Sequence, residues 1–160
     1  MIATLANLIA DPKKRDLALT AGGMLALLAG RKMTAVSLVA RGLSGLETTW
    51  RASHPEFNGT FADRWAWSES FYESTHQHPT NRLLHVIGIP IIIGGTVGLL
   101  AAKPYRPVWA VSAGAFAFGW GLNFIGHGVY EKAAPAFADD PLGFIAGPAW
   151  DLKQLRKKIA

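Results

Sequence analysis

Four of the five histidines in this 160-residue chain fall into two clusters that bracket its most apolar part. The first is His76-Gln77-His78-Pro79-Thr80-Asn81-Arg82-Leu83-Leu84-His85, and the second is Gly126-His127-Gly128-Val129-Tyr130-Glu131. At helical spacing Asn81 and His85 share one face, as do His127 and Glu131. His127-x-x-x-Glu131 can therefore offer an imidazole nitrogen and a carboxylate to one ion. His76 and His78 lie in the approach to a helix and can swing toward the same point. Several imidazoles plus a carboxylate suit iron, and zinc less specifically. Ligand histidines also need partners that orient them, and Asn81, Tyr72 and Tyr130 are candidates. On spacing alone, interfacial or packing roles compete with a metal site. Glu131 can equally pair with Lys132 or Arg82 at the surface, a contact worth little. His54, beside Pro55 in a polar linker, reads as structural.

The elements that carry these clusters are apolar. Half the residues are hydrophobic and 17% are charged, whereas a soluble domain has closer to a quarter charged. Leu83 to Ala102 has no formal charge and is long enough to span a bilayer, which takes about 20 residues. Lys103-Pro104-Tyr105-Arg106-Pro107 reads as a tight loop, and Val108 to Ile125 as a second uncharged stretch. If each stretch crosses once, the two clusters meet on one membrane face. Gly94 and Gly98, with Ala113, Ala117 and Gly121, are the small residues expected to let the two helices approach. Pro79 suits a first helical turn. Trp65, Trp67, Trp120 and Trp150 are expected as interface anchors.

Upstream, residues 1–10 suggest a short interfacial helix, and the N-terminus is expected to be retained because its basic cluster follows a short apolar run. Leu17 to Gly30 is apolar but short, with Gly22, Ala26 and Gly30 at four-residue spacing. Residues 33–50 carry Arg41 and Glu47. Residues 17–50 thus read as a hairpin in or on the membrane, and Arg41-Gly42-Leu43-Ser44-Gly45 resembles the end of small bacterial inner-membrane hairpin domains. The polar stretch 51–66, with Asn58-Gly59 as a turn signal, divides a membrane hairpin module at 1–66 from a second membrane domain at 67–160.

The net charge of +5 does not point to nucleic acid, because the basic residues sit at the ends of apolar segments. With four crossings, Lys13, Lys14, Arg15, Arg51, Arg64, Arg82, Lys132, Lys153, Arg156, Lys157 and Lys158 share one side, and Arg31, Lys32, Lys103 and Arg106 the other. The positive-inside rule then places both termini and both histidine clusters in the cytoplasm of a bacterial-type inner membrane. There is no cysteine, so thiolate ligands are excluded. The expected architecture is an all-α, multi-pass membrane bundle with about four helices in the bilayer.

From about residue 70 to 155 the chain resembles the Mpo1-like family, formerly a domain of unknown function. Tyr72, His76, Pro79, Asn81, His85, Gly88-Ile89-Pro90, Gly126-His127, Glu131-Lys132, Pro135-Ala136 and Ala146-Gly147-Pro148 carry the likeness in order. The resemblance implies a membrane-bound, Fe(II)-dependent dioxygenase that shortens 2-hydroxy fatty acids by one carbon in α-oxidation. It implies His76, His85 and His127 as essential histidines, with Glu131 as a fourth ligand and His78 at a variable position. Arg82 or Lys132 would meet the substrate carboxylate. The substrate can supply the electrons itself, so Fe(II) and dioxygen suffice. Two other readings remain open on the sequence: a non-catalytic membrane module that binds lipid or a partner, and a zinc-dependent lipid hydrolase.

Overall fold

The computed structural model describes residues 10–159, and among them the secondary structure is six α-helices, one π-helical turn and one 3-10 turn, with no strand. The described residues are all-α, as expected. The short helix expected over residues 1–10 lies outside the described residues except for Ala10. The chain divides into two compact units, Met1–Asn58 and Gly59–Ala160.

The first unit is a hairpin of α1 (Pro12–Leu28) and α2 (Lys32–Ser53). Asp11 starts α1 by accepting from the N–H groups of Lys13 and Lys14, with Pro12 in the first turn. The helices touch where a side chain is missing. A Cβ on Gly23 would lie 2.9 Å from the Ala35 carbonyl, whereas one on Gly22 would meet nothing nearer than Leu38 Cδ1 at 3.9 Å. The expected Gly22–Ala26–Gly30 face is therefore one residue out of step with the real seam. Asp16 is buried in the hairpin, and Arg15 donates to it from Nε (2.8 Å) and Nη2 (3.1 Å).

The second unit holds α3 (Phe61–Ser74), α4 (Pro79–Ala101), α5 (Pro107–Ile125), the π turn Gly126–Glu131, the 3-10 turn Ala136–Ala138 and α6 (Gly143–Ile159). A capping box between Thr60 and Asp63 starts α3. That helix runs across residues 66 and 67, where the sequence places the module boundary, and lies wholly in the second unit.

Helices α4 and α5 form the central hairpin. Asn81, Gly88 and Gly95 are buried at seven-residue spacing on α4, and Ser112, Phe116, Gly119 and Asn123 at four-three-four spacing on α5. Such stripes face each other along one seam. A Cβ on Gly95 would lie 2.7 Å from the Phe116 backbone nitrogen, and one on Gly119 would lie 2.8 Å from the Gly88 carbonyl. Gly94 and Gly121, two residues expected at this interface, face open space, while Gly98 does pack, against Ser112. The seam is set by the buried stripe, not by the commonest small-residue repeat. The same stripes continue into Asn81 and His85 on one side and His127 on the other, so the packing of the hairpin is what brings the histidine clusters together.

Pro79–Ala101 and the continuous run Pro107–Glu131 are long and apolar enough to cross a membrane, and only 28% and 22% of their apolar windows are buried. Among the described residues two helices meet this measure, not the four expected. The α1 helix has 17 residues, and α2 carries Arg41 and Glu47.

Helices α3 and α6 pack on each other within the second unit. A Cβ on Gly147 would lie 2.7 Å from Tyr72 Cδ2, so only glycine lets the Tyr72 ring lie there. Trp150, expected at a membrane interface, is buried against Tyr72 and Ala136. Arg64 and Asp140 form a buried pair with two hydrogen bonds (3.1 and 2.5 Å). Asp140 also accepts from the Leu142 N–H at 3.1 Å. Breaking such a pair would strand a buried charge, at a cost of about 3–5 kcal/mol.

Candidate metal centre

His76 follows the end of α3, His85 lies in the second turn of α4 and His127 in the π turn. All three are buried, and one ligand atom from each lies within 4.8 Å of the other two. The ring centroids are 4.7 Å (76–85), 4.8 Å (76–127) and 4.8 Å (85–127) apart, with interplanar angles of 84°, 81° and 89°. The rings thus stand mutually near-perpendicular around one point.

Their backbone partners decide which nitrogens face that point. His76 Nδ1 donates to the Tyr72 carbonyl at 2.7 Å, and His85 Nδ1 donates to the Asn81 carbonyl at 2.9 Å. Each acceptor lies four residues earlier. A neutral imidazole has one N–H, so Nε2 of both rings presents a lone pair. Burial, aided by the neighbouring His85, pushes the pKa of His76 down to about 3, which keeps that lone pair free at neutral pH. His76 Nε2 is buried with no hydrogen-bond partner. His85 Nε2 and His127 Nε2 lie 3.1 Å apart.

This arrangement fits a metal ion. Buried polar atoms are rarely left unpaired unless something absent satisfies them. Two nitrogens each about 2.1 Å from one ion can be at most about 4.2 Å apart. In a tetrahedral site they stand about 3.4 Å apart, so the widest gap in the triad would close by up to roughly 1.4 Å, shared between two side chains. Three protein ligands leave part of the coordination sphere open, the arrangement of sites that do chemistry on a substrate.

Gly126 is required beside the triad, since a Cβ there would lie 3.2 Å from Asn81 Cγ and 3.4 Å from His85 Cε1. A π-helical turn carries more residues per turn than an α-helix and re-aims side chains, and such turns recur at functional sites. Here it carries His127 and ends at Lys132 in the left-handed region (φ 55°).

Glu131 is adjacent but otherwise engaged. It accepts from the Gln77 N–H (2.9 Å), the His78 N–H (3.0 Å) and Asn81 Nδ2 (2.9 Å). His78 lies outside the triad: its Nδ1 accepts from the Thr80 N–H at 3.2 Å, capping α4, and its ring leans on Tyr130. His54 donates to the Trp50 carbonyl and stacks on Trp50. Arg82 lies 4.8 Å from the centre of the Trp150 ring, and Lys132 is exposed.

A network behind His76 was not anticipated. The Tyr72 ring stacks on His76 with centroids 3.7 Å apart, and its hydroxyl donates to Asp151 at 2.6 Å. Burial drives the Asp151 carboxyl up to about 6, although the Tyr72 hydroxyl and the charge of Arg82 pull it back. Burial, with the charge of Asp151, raises the Tyr72 phenol well above its ordinary value. Tyr72 was legible as a partner of the site. Asp151, 79 residues away, carries no local signal that would single it out.

Site and fold define a helical protein with a buried three-imidazole centre beside an apolar helical hairpin. The family described as 2-hydroxy-palmitic acid dioxygenase Mpo1-like matches residues 61–159, and the chain belongs to this Mpo1-like family. No curated protein and no solved structure matches the chain.

Proposed function

We propose that this protein is an Fe(II)-dependent dioxygenase that cleaves the C1–C2 bond of 2-hydroxy long-chain fatty acids at a membrane surface. The observation that carries the proposal is the buried His76–His85–His127 triad, with membership of the Mpo1-like family as its context. The overall change would be R–CH(OH)–COOH + O2 → R–COOH + CO2 + H2O. The substrate would provide all four electrons, so no further reductant is required. Iron held by the three imidazoles would supply the one-electron chemistry that lets dioxygen react with a closed-shell acid.

The chain's own residues would do the rest. The Tyr72 and Asn81 carbonyls fix the rings of His76 and His85. Glu131, with three N–H donors on its two oxygens, ties Gln77, His78 and Asn81 to the π turn. We assign it to that tie, which leaves the open side of the triad to the substrate. Arg82 and Lys132 are the cations we assign to the substrate carboxylate. The acyl tail would lie in lipid against α4 and α5, whose surface residues Leu83, Ile87, Phe124 and Ile125 are exposed.

Low burial of those two helices supports a bilayer setting, since the core helix of a soluble protein would be mostly covered. We propose that α4 and α5 cross the membrane with the triad at the cytoplasmic face. The α1–α2 hairpin would lie on the membrane, because Arg41 is exposed midway along α2 and an arginine at the bilayer centre costs about 2.5–3.5 kcal/mol on insertion scales.

The test is purification in detergent, metal analysis, and incubation with Fe(II), oxygen and a 2-hydroxy long-chain acid. Oxygen uptake matched by an acid one carbon shorter is expected. His85→Ala or His127→Ala should lose both metal and turnover. Bound zinc without oxygen uptake would overturn the proposal.

A further inference from the structure

Two members of the triad share a device that the third lacks. His76 and His85 each donate from Nδ1 to the carbonyl of the residue four positions earlier, at 2.7 and 2.9 Å. The corresponding residue for His127 is Asn123, but the helix changes from α to π between them. The Gly126 N–H takes the carbonyls of Asn123 and Leu122, and His127 Nδ1 is left buried with no partner. A second orphan lies in the same segment. Asn123 is buried, and its Oδ1 has no donor. A Cβ on Gly88 would lie 2.5 Å from that oxygen, so the carboxamide sits in the α4–α5 seam, one turn of α4 beyond His85.

The tautomers explain why both atoms are unpaired. His85 commits its single N–H to Asn81, so across the 3.1 Å contact it is His127 that donates, from Nε2. His127 Nδ1 is then a lone pair, which an amide oxygen cannot satisfy. An ion held by Nε2 would leave the ring proton on Nδ1, and a buried N–H requires an acceptor. Resting on the metal-centre reading above, we propose that Asn123 is a positioning residue whose Oδ1 accepts from His127 Nδ1 when the triad holds its ion. The two orphans are complementary in that state and mismatched without it. Asn123 thus links the triad to the α4–α5 seam.

Three full-length variants in detergent test this with Co(II) as the probe, under exclusion of oxygen. Asn123→Leu keeps the volume and removes the acceptor, Asn123→Ala serves if leucine prevents folding, and Asn123→Asp restores an acceptor. Binding is followed by the ligand-field absorption of Co(II) and by equilibrium dialysis. The acceptor-free variant should bind Co(II) about 10–100-fold more weakly, with no loss of thermal stability in the metal-free protein. Asn123→Asp should recover the affinity. Unchanged Co(II) affinity in Asn123→Leu or Asn123→Ala would overturn the role of Asn123 while leaving the metal centre standing. So would an Asp variant as weak as the Leu variant. A wild type that takes up no Co(II) overturns both.

Discussion

Asp151 shows how a single buried group can set the pH behaviour of the site's support. Its carboxyl lies within the α3–α6 packing, receives the Tyr72 hydroxyl at 2.6 Å and has its pKa raised to about 6, against an unfolded value of about 3.9. The folded state therefore holds the proton more tightly. That contribution to stability is fully present below about pH 4 and is lost as pH rises through 6. An asparagine at this position would still accept from Tyr72 but cannot ionise. Relative to wild type, Asp151→Asn should gain stability steadily from pH 4 to 6 and keep the gain above that, as read by thermal unfolding of the metal-free protein. A difference that shrinks over this range would contradict the reading. His76, His85 and His127 were legible as chemistry because imidazoles are few and their clusters bracket apolar stretches. Asn123 was also within reach, as an uncharged polar residue deep in an apolar run, four before a histidine. Asp151 was not, because its meaning comes only from a partner on another helix.

At the level of elements, the α4–α5 seam carries both stability and geometry. Gly95 faces the Phe116 backbone at a distance that leaves no room for a methyl group, whereas Gly114 faces open space. Gly95→Ala should force the helices apart and cost about 1–3 kcal/mol. Gly114→Ala should stabilise its helix by about 0.5–1 kcal/mol. Thermal unfolding in one detergent compares them directly, and equal effects would show that the seam lies elsewhere. Both helices and the loop between them were readable from charge and length. The register was not, since several small-residue repeats compete and each rotates the helix by about 100° per residue. Sequence spacing also treated His127 and Glu131 as neighbours on an α-helical face. The π turn instead directs His127 into the triad and Glu131 back to the amides of Gln77 and His78.

For the whole molecule the question is sidedness. The basic residues flanking α4 and α5 predict a cytoplasmic triad and an external α4–α5 loop. The chain has no cysteine, so single cysteines can report on this without background. Glu73 and Arg106 are both exposed. Arg106→Cys should react with a membrane-impermeant maleimide in intact spheroplasts, and Glu73→Cys only after lysis. The reverse pattern would invert the topology, and equal labelling of both would argue against a crossing.

Composition and hydropathy alone determined that the chain is helical, that two stretches suit a bilayer, and that histidines mark their ends. Those properties are local: they follow from the run of side chains along each segment. Which histidines meet, which nitrogens they turn inward and what holds them was decided only by tertiary structure. Burial stripes set the α4–α5 register, the π turn re-aims His127, and α6 brings Asp151 to Tyr72. Each of these depends on atoms distant in the chain competing for the same space and the same hydrogen bonds, and no segment carries that information by itself.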